Sequence, residues 1–209
     1  MPKASLTHCA LGAACLAAMA LALVSGPTPV NVLASDAATH AIVWEIRLPR
    51  SLAAWFVGAA LGLSGAALQG LLRNPLADAG VLGLSGFSAL GAVLTFALGV
   101  SWLAPGAAVV FAIAASTLVV TLGWRERSAA TLILIGVGLS SFSGGLIALA
   151  LNLAPNPGAL SDLVNWTLGS VEGRSYNDVA LMGVLFLLGA ALILAAQRGL
   201  QALTLGEEA

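Results

Sequence analysis

Residues 51–80 read SLAAWFVGAALGLSGAALQGLLRNPLADAG, an apolar run that breaks abruptly into Arg73, Asn74, Pro75 and Asp78. The run has the length a helix needs to cross the hydrocarbon of a bilayer, about 20 residues. A residue before proline is biased away from helical backbone, so Asn74-Pro75 brings the chain out of the helix. Asp78 is suited to cap the start of the next helix, and Arg73 favours the cytoplasmic face. The stretch therefore reads as one membrane span closed by a tight turn, and Asn74, Pro75 and Asp78 need no further role to explain them.

The rest of the chain expects the same solvent. Of its 209 residues 59% are hydrophobic and 8% are charged, with a mean hydropathy of +1.00. Soluble domains carry roughly 25% charged residues, and a chain this poor in charge cannot cover an aqueous surface. It reads as an integral membrane protein. The net charge of −1 says little about partners, because the charges lie in clusters.

Several function classes fall away. Lys3 is the only lysine, so no GxxxxGK[ST] phosphate loop exists and ATP is not hydrolysed here in that way. Cys9 and Cys15 fall at or within the first apolar run and read as small packing residues, not a disulfide or metal pair. Gly62-Leu63-Ser64-Gly65 and Gly83-Leu84-Ser85-Gly86 show the GxSG pattern of intramembrane serine proteases. That chemistry needs a base, usually a histidine on a later helix, and both His8 and His40 lie upstream. No catalytic residue, cofactor site or metal site is expected.

Six spans are expected, at roughly 7–26, 51–71, 82–101, 105–123, 130–153 and 179–197. Pro49 and Pro105 suit the first turns of the second and fourth, and the fifth ends before Pro155-Asn156-Pro157-Gly158. With the N-terminus inside, the cytoplasmic segments hold Lys3, Arg73, Arg125, Arg127 and Arg198, and the outer loops hold Arg47, Arg50 and Arg174. This modest positive-inside bias puts both termini in the cytoplasm and residues 27–50 and 154–178 outside. The first run also has the outline of a signal peptide, but its core is long for one and no clean cleavage site follows.

Small residues mark two of the spans. Gly58, Gly62, Gly65 and Gln69 line one stripe, which lets another helix backbone approach closely. Gly136, Ser140, Ser143 and Gly144 share a face of the fifth span. A weakly polar, deformable helix suits a moving pore lining, and ordinary helix packing explains the same letters.

Residues 39–94 then become specific. R-[LIV]-P-R at a helix mouth, G-A-x-L-x-L-S-G-x-x-L-Q, and N-P-L-A-[DE]-x-G-x-L-G together resemble the FecCD-type permeases, membrane subunits of ABC importers for iron–siderophore, haem and cobalamin. VNWTLGSVEGRSYNDV (164–179) is similar to that family's W-x-x-G-S-x-x-G-x-x-W/Y-x-x-V element, and LTLGEEA to the start of its L-x-L-G-E-E-A coupling region. Two departures stand out. Ala79 takes a position where the family usually has proline, and the resemblance implies about ten spans where six are read. On that reading the chain is a fragment, a truncated product or a split subunit of one transmembrane permease domain over residues 1–209, and a scaffold that transports nothing is a competing reading.

The resemblance carries further expectations. The fold is an all-α, polytopic membrane bundle with a short re-entrant outer helix near Ser161 to Leu168, broken at Gly169-Ser170. The chain sits in a bacterial inner membrane, pairs with a second permease subunit, and binds cytoplasmic ATPase subunits that hydrolyse ATP. A periplasmic or lipid-anchored substrate-binding protein docks outside, where Arg47 and Arg50 match the family's docking arginines. No cofactor and no nucleic acid are involved. Gate and pore positions are Gly136, Ser140, Ser143, Gly144, Trp166, Gly169 and Ser170, and ATPase coupling falls on Leu205, Gly206, Glu207 and Glu208. An ion-coupled secondary transporter is the other alternative, but that class places an acid or histidine inside the membrane, and the carboxylates here fall in loops, helix ends or the tail.

Overall fold

The computed structural model describes residues 2–26, 36–123, 128–154 and 156–205, and every regular element among them is helical. In chain order these are α1 (Pro2–Val24), α2 (Ala37–Ala41), a π-helical segment (Ile42–Arg47), α3 (Leu48–Leu72), α4 (Leu84–Ala97), a 3₁₀ turn (Ser101–Leu103), α5 (Ala104–Gly123), α6 (Ala129–Asn152), α7 (Pro157–Leu168) and α8 (Tyr176–Leu205). Five helical runs are long and apolar enough to cross a membrane: Leu6–Val24, Ala37–Leu72, Ser101–Gly123, Ala129–Asn152 and Tyr176–Leu200. The all-α, multi-pass class is the expected one.

The spans themselves differ from expectation in three places. The third, expected over 82–101, is the 14-residue α4, about 21 Å long and short for a bilayer. Glycines set its limits, because Gly83 before it and Gly99 after it both have a φ of 74°, which a right-handed helix cannot continue through. At the other end of the chain, α8 runs on through the expected tail to Leu205.

The second span starts far earlier than Ser51. Asp36 caps α2 by accepting a hydrogen bond from the Thr39 amide at 3.1 Å, and the helix runs on from Ala37 to Leu72. Pro49 therefore lies inside a helical run, not in a first turn. An interior proline lacks the N–H of the ladder, and its ring crowds the carbonyl four residues back. The π segment just ahead of Pro49 is the wider turn that accommodates it. There the Leu48 amide donates to the Val43 carbonyl. The next donor in that register would be Pro49, which has none, and the Tyr176 hydroxyl donates to the Trp44 carbonyl instead.

The chain divides into two compact units. The first, residues 1–60 with 171–191, holds α1, the helical run up to Ala60 and the start of α8. Trp55, Phe56 and Phe186 form an aromatic cluster there, with ring centroids 5.2 to 6.4 Å apart. Gly183 keeps α8 close to the Phe56 ring.

The second unit, residues 61–170 with 192–209, is built around α4, which packs against α5, α6 and α7. One apolar cluster joins Leu72, Ala77, Leu82, Val119 and Leu139, and another joins Leu90, Val93, Ile147 and Leu163. Close approach is made possible by glycine: a Cβ on Gly91 would stand 2.6 Å from the Ala107 carbonyl oxygen of α5.

Candidate transport-path residues

The turn after α3 is built as a left-handed helix stop. Arg73 has a φ of 47°, its amide donates to the Gly70 carbonyl at 3.4 Å, and the Asn74 amide donates to the Gln69 carbonyl at 3.2 Å. That pair of bonds is a Schellman closure, with arginine in the position that glycine usually fills. The Asn74 side chain then accepts from the Leu76 amide at 2.9 Å, and Pro75 lies exposed beside it. Asp78 does not cap α4 as expected. Its carboxylate accepts from the Val81 amide at 2.7 Å inside the turn, and the N-cap of α4 is Gly83, five residues on.

This turn and the first turn of α4 pack onto α6 through three of the four small residues expected to line a path. The Ser140 hydroxyl donates to the Gly80 carbonyl at 3.1 Å. A Cβ on Gly136 would stand 2.4 Å from the Val81 carbonyl oxygen, and one on Gly83 would stand 2.8 Å from the Leu139 Cβ. Ser143 is fully buried, donates to the Ser140 carbonyl at 3.0 Å, and faces Gly86 of α4. Gly144 differs: it is exposed, with open space where a Cβ would project. The partners Gly80, Val81 and Gly86 were missed because sequence spacing within one helix does not show which loop lies against it.

The two expected docking arginines are not equivalent. Arg50 is exposed. Arg47 is 8% exposed, and its Nη1 donates to the Leu23 and Val24 carbonyls of α1 at 2.9 and 2.8 Å. The family resemblance implied one docking role for both, whereas the π segment ends at Arg47 and its side chain turns to α1.

A helix is present where the short re-entrant element was expected, and it starts four residues earlier, at Pro157 instead of Ser161. Asn156 caps it by accepting from the Ala159 amide at 2.9 Å, with Pro157 in the first turn. It ends at Gly169, whose φ of 79° makes the expected break, and Ser170 follows exposed. Leu163 is buried against α4 and α6, and the Trp166 ring lies 5.5 Å from Phe96 of α4. A groove of about 350 Å³ between α4, α6 and α7 is lined by Phe96, Leu146, Ala150 and Leu163 among others. Of the coupling residues, Leu205 ends α8, and Gly206, Glu207 and Glu208 lie outside the described residues.

A family model described as the FecCD transport family matches residues 10–209. The chain belongs to that family. Among curated relatives it is 41% identical over 176 residues to an uncharacterized ABC transporter permease protein, YvrB, of Bacillus subtilis, covering 80% of this chain and 49% of that one. It is 38% identical to the vitamin B12 import system permease protein BtuC of Citrobacter koseri, covering 67% and 44% respectively. It is 31% identical to the molybdate import system permease protein MolB of Haemophilus influenzae, covering 85% and 54%. The chain thus spans about half the length of the curated relatives it matches. Its fold matches a solved structure described as an inward-facing conformation of a metal-chelate type ABC transporter, with a TM-score of 0.85 and 29% identity, over 100% of this chain and 66% of that one.

Proposed function

We propose that this chain forms the membrane path of a binding-protein-dependent ABC importer in a bacterial inner membrane. The observation that carries the reading is the fold match over the whole chain to a metal-chelate type ABC transporter, together with the family match. The cargo class is a metal chelate such as an iron–siderophore, haem or cobalamin. One relative is named for vitamin B12, which falls in that class, and another for molybdate, an oxyanion outside it. ATP is hydrolysed on separate subunits, and a second permease copy completes the path.

The residues take roles within that reading. Arg50, exposed at the turn that follows the π segment, is the arginine placed to meet a carboxylate of a binding protein. Gly144, open on α6, is the small residue whose surface is left to line a path. Helix α7, capped at both ends and seated on α4 and α6, forms the outer gate with Trp166, Gly169 and Ser170. The arginine and lysine distribution puts the N-terminus in the cytoplasm.

Co-expression with ATPase and substrate-binding subunits tests the function. Uptake of labelled cobalamin, haem, ferric siderophore or molybdate should depend on ATP and on the binding subunit. A chain that retains neither subunit in a membrane particle and supports no uptake is a scaffold instead. For orientation, Cys9→Ser and Cys15→Ser leave single cysteines at Ser161→Cys or Ser128→Cys to report. An impermeant thiol reagent on intact cells should label the first and spare the second, and the opposite pattern reverses the topology.

A further inference from the structure

We propose that Arg47 is a clamp that seats α1 on the π segment, a role separate from any contact with a docked partner. The geometry is specific. Leu23 and Val24 end α1, so their carbonyls belong to the last turn, where no amide further along the helix reaches back to them. One guanidinium nitrogen, Nη1, meets both, at 2.9 and 2.8 Å. A cation at a helix C-terminus also meets the negative end of the helix dipole. Gly26 makes room for it, because a Cβ there would stand 2.5 Å from Nη2.

The clamp matters because packing does little for α1. No residue from Leu6 to Val24 is buried. Between α1 and the start of α3 there is an open groove of about 560 Å³, lined by Cys15, Met19, Ser51, Trp55 and Gly58 among others. In lipid, apolar side chains gain little by leaving their surroundings for another helix, so a charge-assisted hydrogen bond at low dielectric is the stronger tie. Arg47 lies at the end of the π segment that Pro49 requires, so the same distortion that accommodates the proline aims the arginine at α1. Helix α1 is therefore fastened at its C-terminal end and left to pivot about it.

Native Cys15 gives the test. In a Cys9→Ser chain carrying Gly58→Cys, which has open space for a side chain, a short bifunctional thiol reagent should join Cys15 on α1 to the new thiol on α3. Adding Arg47→Gln should slow that reaction about tenfold, as loss of a charged hydrogen bond implies. Gly26→Val, which displaces the guanidinium without removing its charge, should slow it in the same direction. Arg47→Lys should recover part of the rate, and Arg50→Gln should leave it unchanged. A separate chain with Ala97→Cys and Ala154→Cys, both lining the α4–α6–α7 groove, reports general folding and should react at its usual rate with Arg47→Gln present. An unchanged Cys15 reaction in Arg47→Gln, an equal slowing in the control pair, or no recovery with lysine would each overturn the clamp.

Discussion

Where α6 meets the 78–86 segment, contact depends on the absence of a side chain: Gly136 presents bare backbone to Val81 and Leu82. Where α1 meets the π segment, contact depends on a long cationic side chain reaching two carbonyls. The second unit is closed by small residues and two apolar clusters, whereas polar atoms at helix ends and an aromatic cluster hold the first. Membrane helices have no general hydrophobic drive to associate, so they use close van der Waals approach or hydrogen bonds. Close approach at glycine is most pronounced in the second unit and polar contact at helix ends in the first, so the two should fail differently under mutation.

The largest effect is expected at Gly136. In Gly136→Ala the new methyl would stand 2.4 Å from the Val81 carbonyl oxygen and 2.5 Å from the Leu82 Cα, both backbone atoms that have little freedom to move. Overpacking of this kind costs about 3 kcal/mol. Gly144→Ala, eight residues along the same helix, meets nothing within 4 Å and should stabilise α6 by up to about 1 kcal/mol through helix propensity. Thermal unfolding in detergent, followed by loss of the monodisperse species, reads both. Equal responses at the two sites would mean that close approach is not what holds the second unit.

The first unit should respond to loss of a single hydrogen bond. Tyr176→Phe leaves the Trp44 carbonyl without its hydroxyl donor and, because both residues are exposed, should cost about 0.5–1.5 kcal/mol. Pro49→Ala supplies the amide missing from the π register, so the tyrosine change should cost less in that background. A double-mutant cycle measures the coupling between the two sites. Strict additivity would disconnect Tyr176 from the proline and leave its hydroxyl as an incidental contact.

These contrasts also explain what could be read from the sequence. Apolar length and glycine–proline punctuation were enough for the all-α membrane class, the turn at Asn74-Pro75, and a short helix ending at Gly169, since each depends on neighbours in the chain. The extension of the second span back to Ala37 was not legible, because an interior proline is tolerated only when a π turn and a hydroxyl from α8 accommodate it. The same holds for Arg47 and Arg50. The resemblance implied one role for both, and only the position of the α1 carbonyls shows that Arg47 is already engaged. At Gly136, Ser140 and Ser143 the shared face was visible, but the segment lying on it was not.

The smallest effect is expected at the start of α2, where the first unit again relies on a polar contact at a helix end. Hydrogen bonds from the Thr39 side chain, and then from its amide, hold the Asp36 carboxyl below its ordinary value of 3.8. A carboxyl lowered in the folded state stabilises the helix start at pH values above that ordinary value. The contribution is lost as pH falls through the lowered folded value, where the protonated group accepts more weakly. Asp36→Ala should therefore speed hydrogen exchange of the Thr39 amide near neutral pH, and the difference from the unmutated chain should disappear well below pH 3.8. The rest of the run to Leu72 should be unaffected, since a cap acts within the first turn. If the difference persists undiminished in acid, Asp36 fixes α2 by its shape and not by its charge, and the polar account of the first unit would then rest on Arg47 and Tyr176 alone.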